Sequence, residues 1–317
     1  MRALLGVLLL ASPAAAQTRV LVACGLGGES KYQEAFLATG LAVAAAARDR
    51  LGVPASHIRL LAEDPSRNPA VAARSTKEEI TKVLAAMAQD TEPGATILIV
   101  LIGHGSVGPD GARINLPGPD LSAAEFATLL GPFGTRRIIV VNAASASGDW
   151  VRAVAGAGRV VLTATRSGAE RDETQFGTYF AAALASDGAD GDKDGRLSVL
   201  EAFEYTRREV VRIYERDQRL RTEHALLDAN GDGVGTMEPV ATEGDGAVAA
   251  TVYLGGAPAG PPLTGLAAVR DSLEREVATL RGQRPTMEVT EYDRRLESLL
   301  LELARVSREL REREGRR

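Results

Sequence analysis

Apolar residues in the first two thirds of the chain come in short unbroken runs. Examples are "RVLVAC" (19–24), "TILIVLI" (96–102), "RIIVV" (137–141) and "RVVLT" (159–163). Runs rich in β-branched residues, too short for buried helices, read as strands covered on both faces. The pattern predicts strands over Arg19–Cys24, Ile58–Leu61, Thr96–Ile102, Arg137–Val141 and Arg159–Thr163. Between them, apolar positions fall at helical spacing over Tyr32–Leu51, Thr76–Ala88, Ser122–Leu130 and Thr174–Ala185. Strands alternating with helices predict an α/β fold: a mostly parallel sheet with helices on both faces. A last strand is expected over Ala249–Leu254, closing a large domain over 17–254. The Gly/Pro-rich stretch 255–265 then reads as a linker.

Beyond the linker the period changes. Leu266, Val269, Leu273, Val277 and Leu280, then Leu296, Leu299, Leu303, Val306 and Leu310, recur at near-heptad spacing among Glu and Arg. Gly282 and Pro285 break the two runs apart. The pattern predicts a C-terminal α-helical hairpin or coiled-coil tail over 266–317. Such a tail either folds back as a solvated helix pair or serves as an arm for a homo-dimer or a partner helix.

Composition adds three constraints. Aromatic residues are 4% of 317, so the core must be built from Val, Leu, Ile and Ala. The start, "MRALLGVLLLASPAAAQ", has a basic Arg2, a short apolar run and a small-x-small site before Gln17. That is the layout of a secretory signal peptide over 1–16, and it predicts an exported protein, periplasmic or secreted. No other run is long and apolar enough to span a bilayer. Without Arg2, 36 basic residues face 42 acidic ones, a net charge of −6 that excludes nucleic acid as a natural partner. The single cysteine, Cys24, ends the first strand and reads as a small buried hydrophobe. "GLGGES" (25–30) has Ser30 where a dinucleotide fingerprint needs its third glycine, so it reads as a plain connection.

The chain has three histidines, and His104 is the one in a distinctive place. It lies between Gly103 and Gly105 at the carboxyl end of the third strand, where ligands of open α/β sheets bind. With strand order 2-1-3-4, the small-residue turn after the fourth strand, "NAASASG" (142–148), lies beside it. Glycine at 105 lets a substrate approach the backbone and frees an amide for a developing oxyanion.

"GHGS" (103–106) and "ASASG" (144–148) resemble the two motifs of the caspase and legumain clan of cysteine peptidases. In that clan a His-Gly pair follows one strand and an Ala-Cys-x-Ser-Gly turn follows the next. The resemblance covers roughly Arg19 to Leu254. It implies a caspase/legumain-like domain with His104 and Gly105 in the catalytic machinery. The cysteine position falls on Ser145 when anchored on Ser147-Gly148, and on Ala144 when counted from the strand; neither is cysteine. The segment 160–184 resembles the strand and loop that shape the legumain substrate pocket, which implies Arg166 and Ser167 as substrate-binding residues. The resemblance leaves two functions open. Either Ser145 and His104 form a hydrolytic dyad, or the protein is a pseudo-peptidase that binds a peptide or protein partner. A serine hydroxyl is a far weaker acid than a thiol and normally needs a histidine oriented by a third group.

The strongest motif is "DGDKDGRLSVLE" (190–201). Asp190, Asp192 and Asp194 fill positions 1, 3 and 5 of an EF-hand calcium loop, with Gly195 at the turn. Arg196 offers its carbonyl at position 7, Ser198 stands at 9 and Glu201 is the acid at 12. A poorer copy, "DANGDGVGTMEP" (228–239), has Asp228, Asn230 and Asp232 at 1, 3 and 5 but Pro239 at 12. Metal binding and plain Asx turns both account for it. The expected cofactor is Ca2+ in a structural role, clamping the loop and helix after the pocket segment.

Overall fold

A computed structural model describes residues 18–92, 94–255, 265–266, 269–270, 272–273, 276–277, 280 and 287–314. The expected signal peptide, 1–16, lies outside the described residues, as does nearly all of the linker 255–265.

The main sheet has seven strands. In chain order its first members are β1 (Thr18–Cys24), β2 (Ile58–Ala62), β3 (Ala73–Arg74) and β4 (Thr96–Ile102). The hairpin strands β5 (Gly105–Gly108) and β6 (Gly111–Ile114) and the short β7 (Leu121–Ser122) form a separate three-stranded sheet. β8 (Arg137–Asn142), β9 (Arg159–Thr163) and β10 (Leu226–Asp228) complete the main one, whose order is β10-β9-β8-β4-β1-β2-β3. Every pairing in it is parallel except β9 with β10. The expected order of the four principal strands is the observed one.

Parallel strands need crossovers, and the helices supply them on both faces. Val20, Val22, Leu98 and Val100 point to a core shared with α1 (Ser30–Asp49), α5 (Phe176–Ala185) and α6 (Val199–Arg216). The alternate residues Leu21, Ala23, Ile97 and Ile99 face α2 (Lys77–Asp90), α3 (Ala123–Leu129) and α4 (Trp150–Val154). Two-sided burial explains why the strands read as continuous apolar runs. Side-chain caps start three of these helices: Thr76 Oγ1 accepts the Glu79 N–H, and Ser122 and Ser198 each form a capping box with Glu125 and Glu201.

One expected element is different. The strand expected over Ala249–Leu254 does not form: Ala249 ends a short helix, α7 (Gly244–Ala249), and the chain then turns at 250–251. Ala247 and Ala250 donate to the carbonyls of Glu243 and Gly246, so this Ala-rich run closes helical turns. The chain just after α7 makes a single bridge, Tyr253 with Ser198. At the far end one helix runs from Val289 to Glu314, with Tyr292 and Val306 buried. No helix among the described residues is long and apolar enough to cross a membrane.

Candidate functional site

β4 and β8 are neighbours, so the loops leaving their carboxyl ends meet. Gly105 is where they touch. A Cβ there would stand 2.1 Å from the Ser145 carbonyl oxygen, so only glycine lets the two backbones come this close. Gly148 does the same on the other side: a Cβ would lie 2.1 Å from the Arg166 carbonyl carbon and 2.2 Å from the Ser167 nitrogen. The 142–148 turn is thus wedged between the loops after β4 and β9. Hydrogen bonds tie it down: Asn142 Oδ1 accepts the Ala144 N–H at 3.1 Å, and Thr165 Oγ1 accepts the Gly148 N–H at 3.0 Å. Ala146, at φ 52°, sits in the left-handed region and is held by its N–H donating to the Glu170 carbonyl at 2.7 Å.

His104 and Ser145 are brought to the same corner but are not joined. The Ser145 side chain is buried, and its Oγ accepts the Gly105 N–H at 3.1 Å. The same hydroxyl lies 3.5 Å from the Gly105 carbonyl, to which it donates. The half-buried His104 ring meets Tyr32 and Phe36 edge-on, at 4.6 and 5.0 Å between centroids. Desolvation by burial lowers the His104 pKa, outweighing Glu173 and Glu29, which pull the other way. The imidazole is therefore neutral at neutral pH. No hydrogen bond links the ring to Ser145 among the described residues.

Arg166 and Ser167 lie on the strap that crosses Gly148. Arg166 is exposed, with its guanidinium on Glu170 at 3.0 Å. Ser167 Oγ accepts the Ala169 N–H at 3.3 Å.

Sequence reasoning passed over a second polar group beside this strap. Glu170 Oε1 also meets His224 Nδ1 at 2.6 Å, and Oε2 accepts the His224 N–H at 3.0 Å. The residue before it, Glu223, is buried, and its carboxylate accepts the N–H groups of Gln175 and Phe176 at 2.7 and 3.1 Å. Glu223 and His224 line a small cavity of about 70 Å3 with Phe176 and Arg207. The one sequence signal is an acid–histidine pair directly before the apolar residues of β10.

Burial pushes the Glu223 carboxyl up to about 7 from an ordinary 4.5. A group raised in this way binds more protons folded than unfolded between those two values. Its stabilising contribution is complete below pH 4.5 and is lost as pH rises through 7. The loss should amount to roughly 3 kcal/mol. Glu223→Gln keeps one acceptor oxygen in place of the two that take the Gln175 and Phe176 N–H groups, and by removing the titrating carboxyl should remove this part of the pH dependence. Urea unfolding at intervals from acid to mildly alkaline pH checks it; parallel curves for the two proteins would contradict it.

The 190–201 loop is tied together by its own side chains. Gly195, at φ 81°, turns the chain so that its N–H donates to Asp190 Oδ2 at 3.0 Å. Asp192 Oδ1 accepts the Asp194 N–H at 3.0 Å, and Asp194 Oδ1 accepts the Arg196 N–H at 2.8 Å. One oxygen of each of Asp190, Asp192 and Asp194 lies within 4.8 Å of the others. Burial, with the neighbouring Asp194, Glu201 and Asp190 charges, raises the Asp192 pKa, while the Asp194 N–H bond opposes this. Asp190 Oδ1 is buried and has no hydrogen-bond partner. An orphaned carboxylate oxygen beside two more carboxylates suits a hard divalent cation. Glu201 reaches back into the loop: Oε1 accepts the Gly191 and Asp192 N–H groups at 2.8 and 3.2 Å, and Oε2 accepts from Ser198. Arg196 packs its guanidinium 3.7 Å from the Tyr253 ring centroid and bonds Asp194 Oδ2 at 2.9 Å, tying the loop to the segment after α7.

No family model and no curated protein matches this chain. Among solved structures, the chain is similar to protein GSU0716 from Geobacter sulfurreducens, at 13% identity and a TM-score of 0.43. The match covers 67% of this chain and 92% of that one. A likeness of that grade carries no inference about function, and what this chain does is read from its own residues.

Proposed function

We propose that the chain is an exported caspase/legumain-like peptidase homologue that has given up peptide-bond hydrolysis and works as a calcium-stabilised module binding a peptide or protein. One observation carries this reading: the Ser145 hydroxyl is spent on the Gly105 backbone. Its Oγ takes the Gly105 N–H at 3.1 Å, the amide that an oxyanion would need. His104, the only base of the pair, has its ring against Tyr32 and Phe36 and no acid bonded behind it among the described residues. The metal would be held by the carboxylates of Asp190, Asp192 and Asp194, with Glu201 closing the loop. Calcium there supplies a cross-link between the end of α5 and the start of α6, not chemistry. The tail over 266–317 is the partner arm of this reading. Its support is the helix Val289–Glu314, where Leu300 and Leu301 stand exposed.

The alternative, a working Ser145–His104 hydrolase, draws on the left-handed backbone of Ala146 beside the serine. Strain of this kind gathers at reactive turns. A fluorophosphonate probe, which labels activated serines, distinguishes the two. The expected result is no adduct on Ser145 by mass spectrometry. An adduct that disappears in His104→Ala would overturn the loss of hydrolysis.

A further inference from the structure

The second calcium-type loop has Pro239 where the closing acid belongs. Its backbone nevertheless finds one. In the first loop the second and third residues, Gly191 and Asp192, donate to Glu201 Oε1. In the second loop the corresponding residues, Ala229 and Asn230, donate to Asp245 Oδ1 at 2.8 and 3.1 Å. Most of the remaining bonds also correspond, although Asp228 Oδ1 accepts the Gly231 N–H at 2.8 Å where Asp190 Oδ1 has no partner. Gly233, like Gly195, donates to the first aspartate, at 2.8 Å. Asn230 Oδ1 accepts the Asp232 N–H at 2.9 Å, and Asp232 Oδ1 accepts the Val234 N–H at 2.7 Å. Asp245 comes from α7, well outside the twelve-residue frame that a motif search inspects.

Charge is an independent observation. Asp228 is 0% exposed and Asp245 is 8% exposed. Among the described residues no Lys or Arg pairs with either of them or with Asp232, and Asp245 Oδ2 accepts no hydrogen bond. Backbone N–H groups meet Asp228 and one oxygen of Asp245, but no basic side chain balances their charge, and a bound cation would. Two carboxylates and an amide oxygen on a tight loop, with a third carboxylate bonded to its backbone, are the donor types that a hard divalent cation takes. We propose that Asp245 is the closing acid of a second divalent-cation site formed with Asp228, Asn230 and Asp232. The proposal rests on the calcium reading of the first loop. It also gives the second loop a mechanical role: an ion there fastens the end of β10 to α7, and the chain after α7 packs on the first loop through Tyr253 and Arg196.

Calorimetric titration of calcium chloride into the full chain, freed of metal by chelation, tests it. The unaltered chain should bind two ions. Asp245→Asn, which keeps an oxygen for the two N–H groups, should bind one, and Glu201→Gln should bind the other one. Asp232→Asn guards against a folding defect in the first variant and should weaken the same site at least tenfold. Two ions bound by Asp245→Asn with undiminished affinity would overturn the assignment. One ion bound by the unaltered chain, and none by Glu201→Gln, would overturn it too while leaving the first loop's calcium intact. No binding by any of them would overturn both.

Discussion

Gly148→Ala is expected to cost about 4 kcal/mol or more of folding stability, and Gly105→Ala a similar amount. Both glycines occupy places where two backbones cross. The added methyl would meet the carbonyl carbon of Arg166 at 2.1 Å in one case and the carbonyl oxygen of Ser145 at 2.1 Å in the other. Neither obstacle is a side-chain end that can swing away. Each is main chain anchored by neighbouring bonds: Gly105 sits in the β5–β6 ladder opposite Ile114, and Thr165 takes the Gly148 N–H. Relief therefore requires moving the loops that hold His104 and Ser145. Gly131→Ala is the control, since nothing lies within 4 Å of its Cβ direction. Its effect should stay within about 0.5 kcal/mol. Urea midpoints at constant slope measure all three. A midpoint for Gly148→Ala equal to that of the unaltered chain would contradict the wedged geometry of the 142–148 turn.

Calcium is expected to raise thermal stability by about 5–10 °C over the chelated protein. The first loop gathers oxygens of Asp190, Asp192 and Asp194 within 4.8 Å of one another, with the Asp190 Oδ1 orphaned. Folding without a cation forces these charges together, whereas the unfolded chain keeps them apart. An ion bound at about a hundredfold excess over its dissociation constant stabilises the native state by about 2.7 kcal/mol. For a domain of this size each kcal/mol moves the midpoint by about 2–4 °C. Exported proteins meet enough calcium for even weak loops of this type to fill. Scanning calorimetry with chelator and with millimolar calcium measures the shift. Glu201→Gln should shrink it. An unchanged midpoint in calcium would contradict a structural ion.

The sequence made the main sheet legible because two-sided burial leaves little room for ambiguity. Runs such as "ILIVLI" (97–102) alternate between two cores, so every residue is apolar. The β5–β7 sheet was not legible from apolar periodicity. Its strands are two to four residues long and carry Gly, Ser and Arg; the usable signal was the Pro109-Asp110-Gly111 turn. The stretch 249–254 misled for the opposite reason. An apolar run that short fits strand or helix end equally well; here Ala249 ends α7, Thr251 and Val252 donate to Val248 and Ala249 in a turn, and only Tyr253 forms a bridge.

The candidate site divides along the same line. Local features were readable: the Asp190, Asp192 and Asp194 cluster lies within twelve consecutive residues, and the glycines beside His104 and in the 142–148 turn mark close backbone approach. Features made by distant residues were not. Asp245 lies outside its loop's frame, His224 is 54 positions from Glu170, and the partner of the Ser145 hydroxyl is a backbone amide 40 positions away. Spacing can bring His104 and Ser145 to one corner of the sheet. It cannot say which atom the serine bonds.

That atom decides whether the corner is an active site, and cleavage of a peptide library read by mass spectrometry, with calcium present, tests it most directly. The unaltered chain, His104→Ala and Ser145→Cys are compared. No His104-dependent cleavage by the unaltered chain is expected, because its serine is bonded to Gly105 and its histidine to no acid. Cleavage by the unaltered chain that vanishes in His104→Ala would contradict this and make the protein a serine hydrolase.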